Sequence, residues 1–310
     1  MTDTFQIVIV LYNSAGSLSR ALGSIARLAP PSVRTWVVDN ASTDGGADRV
    51  ARDYPWVRLL ISHYNRGFAG GCNWAAAQEP GPPLILFLNP DAELTPGCLQ
   101  RLAEAFERHS RLGVAGCKLF RPDGQSLQHV GGALRPNALP YHLGEGELDR
   151  GQYRGLRPSE YVQGAALAVR RSVFDALGGF DEGFYPAYFE EADLCFRARR
   201  AGWGVAVVCE AAVIHHQDPR RQVQDREFLK MLFRGRARYL IKHYRPRDWL
   251  LRYLPAEVRW LLSRRSKTYR RLALRSLWDV WTGTPTPPGR DGIHSPPSAA
   301  ATEPTSQPLY

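Results

Sequence analysis

The sequence predicts an α/β protein with a mostly parallel central sheet flanked by helices, extended at its carboxyl end by basic amphipathic helices. Two observations carry this expectation. The first half alternates short runs rich in Val, Ile and Leu with stretches whose apolar residues recur at helical spacing. Strands separated by helices in this way pair in parallel and carry the helices on the sheet's faces. The positive charge is concentrated late in the chain: residues 220–281 hold 18 Lys or Arg against 5 Asp or Glu, within a 310-residue chain of net charge +10.

Residues 6–11, 34–39, 57–62 and 84–89 are the predicted strands of the first half, and 17–28, 46–54, 68–78 and 96–109 the helices between and after them. Ser, Asp, Gly or Thr precede several of these helices as caps. In such a sheet ligands collect outside the carboxyl ends of the strands, where loops converge and helix N-termini present free N–H groups. Asn13 follows the first strand, Asp39 and Asn40 end the second, Asn65 follows the third, and Asn89 with Asp91 the fourth. A single Asn or Asp there is an ordinary turn residue; four in succession point to a binding edge.

Residues 118–158 are rich in Gly and Pro and read as long loops with a hairpin, a length that is often functional. A strand at 162–169, a short helix at 171–177, a helix at 188–200 and short strands at 205–208 and 212–214 follow. The expected organisation is a catalytic domain at 1–218, a basic helical extension at 219–282, and a disordered tail rich in Pro, Ser, Thr and Ala at 283–310.

Hydrophobic residues make up 44% of the chain, enough for a substantial core. The N-terminus, MTDTFQIVIVLYN, does not read as a signal peptide. No apolar run reaches the roughly 18 residues of a spanning helix, so any membrane contact is expected to be peripheral. Cys72, Cys98, Cys117, Cys195 and Cys209 lack the spacings of a zinc site or disulfide framework, which fits a reducing cytosol. In the basic segment Phe228, Met231, Leu232, Tyr239 and Leu240 recur at helical spacing, and Trp249, Leu250, Tyr253, Leu254, Trp260 and Leu261 continue the pattern. Such helices either pack on the catalytic domain or lie on an anionic membrane. No recognised nucleic-acid module accompanies the charge, so nucleic acid is not expected as a partner.

Five stretches occur in a telling order: VIVLYN at 8–13, VVDNASTDGG at 37–46, NRGFAGGCN at 65–73, LFLNPDAEL at 86–94 and GGFDEGFYPAYFEEADLCFRARRAG at 178–202. Together they resemble a family 2 glycosyltransferase, close to its rhamnosyltransferase-like members, over about residues 5–218. The resemblance implies a GT-A nucleotide-diphospho-sugar transferase fold, a nucleotide-sugar donor, a divalent metal (Mg²⁺ or Mn²⁺) and inversion at the anomeric carbon. It places Tyr12, Asn13, Asp39, Asn65, Arg66, Gly67 and Asn89 on the donor side and Asp91 and His215 at the metal. Asn89 stands where a strict metal-binding motif has Asp. Glu191 falls at the catalytic base, one methylene longer than the Asp of most relatives, with Glu190 and Asp193 as acidic neighbours that could serve instead. Gln163, Gly164 and Trp203 read first as packing residues and second as borders of a donor or acceptor pocket.

The resemblance also ranks dTDP-rhamnose ahead of UDP- and GDP-sugars as donor. The expected acceptor is a lipid-linked or cell-surface glycan, and the expected location the cytoplasmic face of the plasma membrane. Two other readings stay open from sequence: a catalytically silent scaffold that binds nucleotide or lipid, and a membrane adaptor acting through its basic helices.

Overall fold

The computed structural model describes residues 4–78, 81–217, 226–263 and 267–283; the expected tail beyond 283 and the boundary at 218–219 lie outside them. The first half contains β1 (Phe5–Leu11), α1 (Ala15–Leu28), β2 (Arg34–Asn40), α2 (Gly46–Asp53), β3 (Arg58–Ser62), α3 (Gly67–Ala76), β4 (Leu84–Leu88), β5 (Ala92–Leu94) and α4 (Cys98–Arg108). The middle adds β6 (Leu112–Phe120), β7 (Leu127–His129), β8 (Gly132–Leu134), β9 (Pro140–His142), β10 (Leu156–Pro158), β11 (Ala166–Arg170), α5 (Arg171–Ala176), α6 (Glu190–Arg200) and β12 (Gly204–His215). Three longer helices close the described chain: α7 (Arg226–His243), α8 (Leu254–Ser263) and α9 (Lys267–Trp281).

The main sheet runs β10-β12-β6-β11-β4-β1-β2-β3, with β5 added to β12 and β7 to β6. Strands β4, β1, β2 and β3 are mutually parallel, and β6 and β12 run the same way; β10 and β11 run against them. The C-termini of β1, β2, β3, β4 and β12 therefore share one edge.

Alternating residues of the strands feed two apolar layers. Val8, Val10, Trp36 and Val38 join α3, α5 and α6 on one face, while Ile7, Ile9, Leu11 and Val37 join α1, α2 and α4 on the other. Burial on both faces is why these strands read as continuous apolar runs rather than as polar–apolar alternations.

Four details differ from the sequence reading. Strand β6 was not foreseen. The strand expected at 162–169 begins only at Ala166, because the chain first turns, with the Ala166 amide donating to the Gln163 carbonyl (3.4 Å). The two short strands expected at 205–214 are one strand with a register shift between Val208 and Ala212. The helix expected from 188 starts at Glu190, since Tyr188 and Phe189 adopt left-handed backbone with φ of 82° and 78°.

The first basic helix packs on the catalytic layers: Tyr239 and Leu240 of α7 belong to the same apolar cluster as Val8 and Phe87. Buried Arg236 pairs with buried Glu257, which also accepts from Asn137 Nδ2 (2.9 Å), and Arg236 Nε donates to the Asn137 carbonyl (2.7 Å). This junction ties α7 and α8 to the β8–β9 hairpin. Helix α9 meets α7 where Leu272 and Ala273 pack on Leu229 and Phe233.

Candidate active site

The site grows from the ends of the parallel strands. Asp39 closes β2 and is 3% exposed; its Oδ2 accepts from the Ser42 amide (3.3 Å), while its Oδ1 is buried without a partner. Burial pushes the Asp39 carboxyl up, against the lowering effect of its bonds to Ser42. A buried acceptor with one free oxygen is poised for an incoming N–H or O–H donor. Asn13, after β1, braces the loop beyond Asp39: its Oδ1 accepts from the Thr43 amide (2.8 Å) and its own amide donates to Ser42 Oγ (3.1 Å). Tyr12 lies close to Tyr185, whose hydroxyl burial pushes up to about 12.

Asn65, Arg66 and Gly67 form the turn into α3. Buried Asn65 accepts from the Gly67 amide (2.8 Å), and Asn40 clasps the turn from β2, donating to the Gly67 carbonyl (2.9 Å) and accepting from the Arg66 amide (3.0 Å). Gly67 has φ of 72°, and a Cβ there would lie 2.8 Å from the Pro186 carbonyl oxygen, so glycine is required on both counts. The Arg66 guanidinium sits over the rings of Tyr64 (4.7 Å) and Trp74 (4.4 Å) and donates to Ser62 Oγ (3.2 Å). Asn65 and Arg66 are thus committed to shaping the turn, a use that sequence did not distinguish from ligand contact.

Asp91 and His215 meet directly, their Oδ1 and Nε2 3.2 Å apart. The antiparallel pairing of β5 with β12 sets this up, placing His215 opposite Ala92, and the His216 amide donates to the Asp91 carbonyl (2.9 Å). Two further contacts fix the imidazole. Its Nδ1 lies 3.0 Å from Gln128 Oε1, which can only accept, and its Nε2 lies 3.4 Å from Asn89 Nδ2, which can only donate. These contacts point Nδ1 at Gln128 and leave Nε2 as the ring atom that faces Asp91. Asp91 and His215 thus form a close carboxylate–imidazole pair. Burial pushes the Asp91 carboxyl up, but His215 and His216 outweigh it and hold it below its ordinary value. Among the described residues no group of three or more His, Cys, Asp or Glu could hold a metal ion. His216 itself pairs with Glu93 (3.1 Å).

Glu190 and Glu191 open α6 immediately after the left-handed pair. Each has an Oε2 buried without a partner. Burial and the neighbouring Glu191 raise the Glu190 carboxyl well above its usual range. Burial pushes Glu191 up to about 7, against backbone hydrogen bonds of the helix's first turn. Across from Glu191 stands Gly164, where a Cβ would lie 3.9 Å from both the Glu191 Cβ and the Phe68 ring. The next residue, Ala165, accepts from the Asn89 amide (3.0 Å), so a short path of contacts links Glu191 to the Asp91–His215 pair. Gln163, beside it, has a buried Oε1 without a partner. Asp39 lies farther off, with β1 between its strand and β4; two strand spacings amount to about 10 Å.

Two sequence candidates are corrected. Asp193 is fully buried and spends both oxygens on ion pairs, Oδ2 with Arg197 (2.7 Å) and Oδ1 with Lys242 and His243 (2.7 Å each), so it fastens α6 to α7 and has no oxygen to spare for an acceptor. Trp203 immediately precedes β12 and packs against Gly113, at the opposite end of that strand from His215; it borders no pocket at this edge. Gln128 was missed, since nothing in a Gly-rich stretch marks one glutamine as the partner of a histidine 87 positions away.

A family model described as glycosyl transferase family 2 matches residues 6–178. An N-acetylglucosaminyl-diphospho-decaprenol L-rhamnosyltransferase of Mycobacterium tuberculosis is 32% identical over 238 residues, covering 70% of this chain and 77% of that protein. Among solved structures, GalNAc-T7 with UDP, GalNAc and Mn²⁺ superposes with a TM-score of 0.62 at 15% identity, covering 92% of this chain and 58% of that one. The mannosyltransferase PcManGT from Pyrobaculum calidifontis, in complex with GDP-Man and Mn²⁺, gives 0.53 at 16% identity, covering 92% and 76%.

Proposed function

The chain belongs to glycosyl transferase family 2 and has the GT-A fold, and from that premise we propose an inverting, metal-dependent enzyme that moves a sugar, rhamnose foremost, from a nucleoside diphosphate to a hydroxyl of a lipid-linked or cell-surface glycan. The observation that carries this reading is His215, oriented by Gln128 and facing Asp91, within a short path of contacts from an ionisable Glu191 that has a free oxygen. The mycobacterial relative, an N-acetylglucosaminyl-diphospho-decaprenol L-rhamnosyltransferase, supports both the sugar and the lipid carrier.

In this mechanism Asp39 Oδ1 accepts from the base or ribose of the donor, with Tyr12 and Asn13 beside it and the Asn65–Arg66–Gly67 turn closing the same side. Asp91 and His215 would hold Mg²⁺ or Mn²⁺; a carboxylate oxygen and an imidazole nitrogen suit such an ion. When bound, the ion offsets the negative charge of the departing diphosphate. Glu191 takes the proton of the acceptor hydroxyl as its oxygen bonds to the anomeric carbon. The bond from that carbon to the diphosphate breaks on the opposite face, and the configuration inverts. Glu190, more strongly held in its neutral form, is the poorer base. The reaction takes place at the inner face of the plasma membrane, where a lipid-borne acceptor resides.

Thermal melting of the chain with dTDP, UDP or GDP, each with and without Mn²⁺, tests this. One nucleotide at about a hundred times its dissociation constant should stabilise the fold by about 2.7 kcal/mol, only when Mn²⁺ is present, and Asp91→Ala or His215→Ala should abolish the effect. A nucleotide shift indifferent to Mn²⁺ and to both substitutions would overturn the metal assignment.

A further inference from the structure

We propose that the helical layer at residues 249–263 and 267–281 docks on an anionic membrane surface by inserting two apolar ridges among the lipids. The first ridge runs along Trp249–Tyr253 and α8, where Leu250, Leu254, Val258 and Leu262 recur at every fourth position with exposures of 64%, 47%, 52% and 78%. Leu251 stands beside it, 71% exposed. The same stretch has a buried side as well: Tyr253 and Glu257 are covered, and Trp260 packs against Phe233. In α9, Leu274, Trp278 and Trp281 are 56%, 63% and 72% exposed, while Leu272, Ala273 and Ser276 are buried. A helix at an ordinary protein–water boundary turns apolar residues inward and polar residues outward. These two carry large apolar side chains on the outward side too, and scattered single exposures do not produce a fourfold repeat.

Charge selects the occupant. Arg245, Arg247, Arg252, Arg259, Arg271 and Arg275 are exposed. The acidic residues of the same stretch, Asp248, Glu257 and Asp279, are wholly or partly covered, and Asp248 and Asp279 face Arg252 and Arg275. A second copy of the chain would bring these arginines against one another. A bilayer with anionic headgroups supplies both the apolar depth the ridges require and the negative charge the arginines require, and it suits tryptophans at the boundary. Among the described residues no helix is long and apolar enough to cross a membrane, so the helices lie along the surface.

The inference deepens the reading of a lipid-linked acceptor and rests on it for its purpose, but docking itself needs no donor and is measured separately. The full chain is sedimented with vesicles of phosphatidylcholine alone and of phosphatidylcholine mixed with phosphatidylglycerol. Binding is expected to the mixed vesicles, reduced by salt, and weakened about tenfold or more in Leu251→Glu/Leu262→Glu and in Trp278→Glu. Three results would overturn the proposal: no binding to either vesicle, equal binding to both, or light scattering showing a dimer that the same substitutions dissolve. Because the substituted positions lie on the surface of the helical layer, the variants should keep the Mn²⁺-dependent nucleotide stabilisation. Loss of docking and failure of the transferase reading therefore register in different measurements.

Discussion

Replacing Glu191 by Gln removes proton acceptance while conserving shape and the hydrogen-bonding side chain at the start of α6. The size of the effect follows from two quantities. General-base assistance is worth about 10²–10⁴ in rate, so transfer should fall by that factor with little change in donor affinity. Burial pushes Glu191 up to about 7, which leaves roughly one molecule in ten with an ionised base at pH 6, half at pH 7 and about nine in ten at pH 8. The parental enzyme should therefore gain about tenfold in transfer between pH 6 and pH 8, lose activity as pH falls below 7, and level off above it. The Glu191→Gln variant should show neither the rate nor that rise. Release of nucleoside diphosphate, followed across this range with the donor selected by thermal melting, measures both. A Glu191→Gln enzyme that retains a tenth of parental turnover, or a parental profile flat from pH 6 to pH 8, would show that Glu191 is not the base.

Two other perturbations test the shell around the site and the attachment of the helical layer. Gln128→Leu removes the partner that orients the His215 ring; Mn²⁺ affinity, read by electron paramagnetic resonance, should fall about 10–100-fold, Gln128→Glu should retain it, and parental affinity in the Leu variant would refute the positioning role. Arg236→Ala strands Glu257 in a buried site, which should cost about 3–5 kcal/mol and lower the melting temperature by about 10 °C, whereas Arg236→Met with Glu257→Leu should recover most of the loss; calorimetry that finds Arg236→Ala unchanged would rule out the clamp.

The parallel half of the fold was legible because β1, β2 and β4 are buried on both faces and so are uniformly apolar, and because the amphipathic helices between the strands keep a clean period. Strand β6 was not, for a physical reason. Gly113 and Gly116 interrupt it, and each is there because a neighbour crowds it: an added Cβ would lie 2.7 Å from that of Trp203 and 2.6 Å from that of Val162. Close packing here has the composition of a loop. At the site, Asp91 and His215 were paired through resemblance, and the β5–β12 register shows how they meet. Asp193, itself buried, misled because its partners, Lys242 and His243, come from a helix some fifty residues on, and no local pattern marks a carboxylate as already spent. Arg236 looked like one more cation in a basic segment, yet it is 2% exposed, since its partner Glu257 lies 21 positions away in a different element.

The path from Glu191 to His215 is an out-and-back: α6 carries the chain away from the strand ends, and β12 returns it to the same edge. The two-dozen-residue interval is thereby a length set by architecture. Excising one residue from β12 would turn His215 to the other side of the sheet and leave Glu191 where it was. Excising one from α6 would swing the base by about a hundred degrees around the helix axis while sparing the imidazole. Slack exists between Gly204 and Val205 and between Val208 and Ala212, where the pairing already skips; insertions in homologous chains should therefore gather there or in the 118–158 loops.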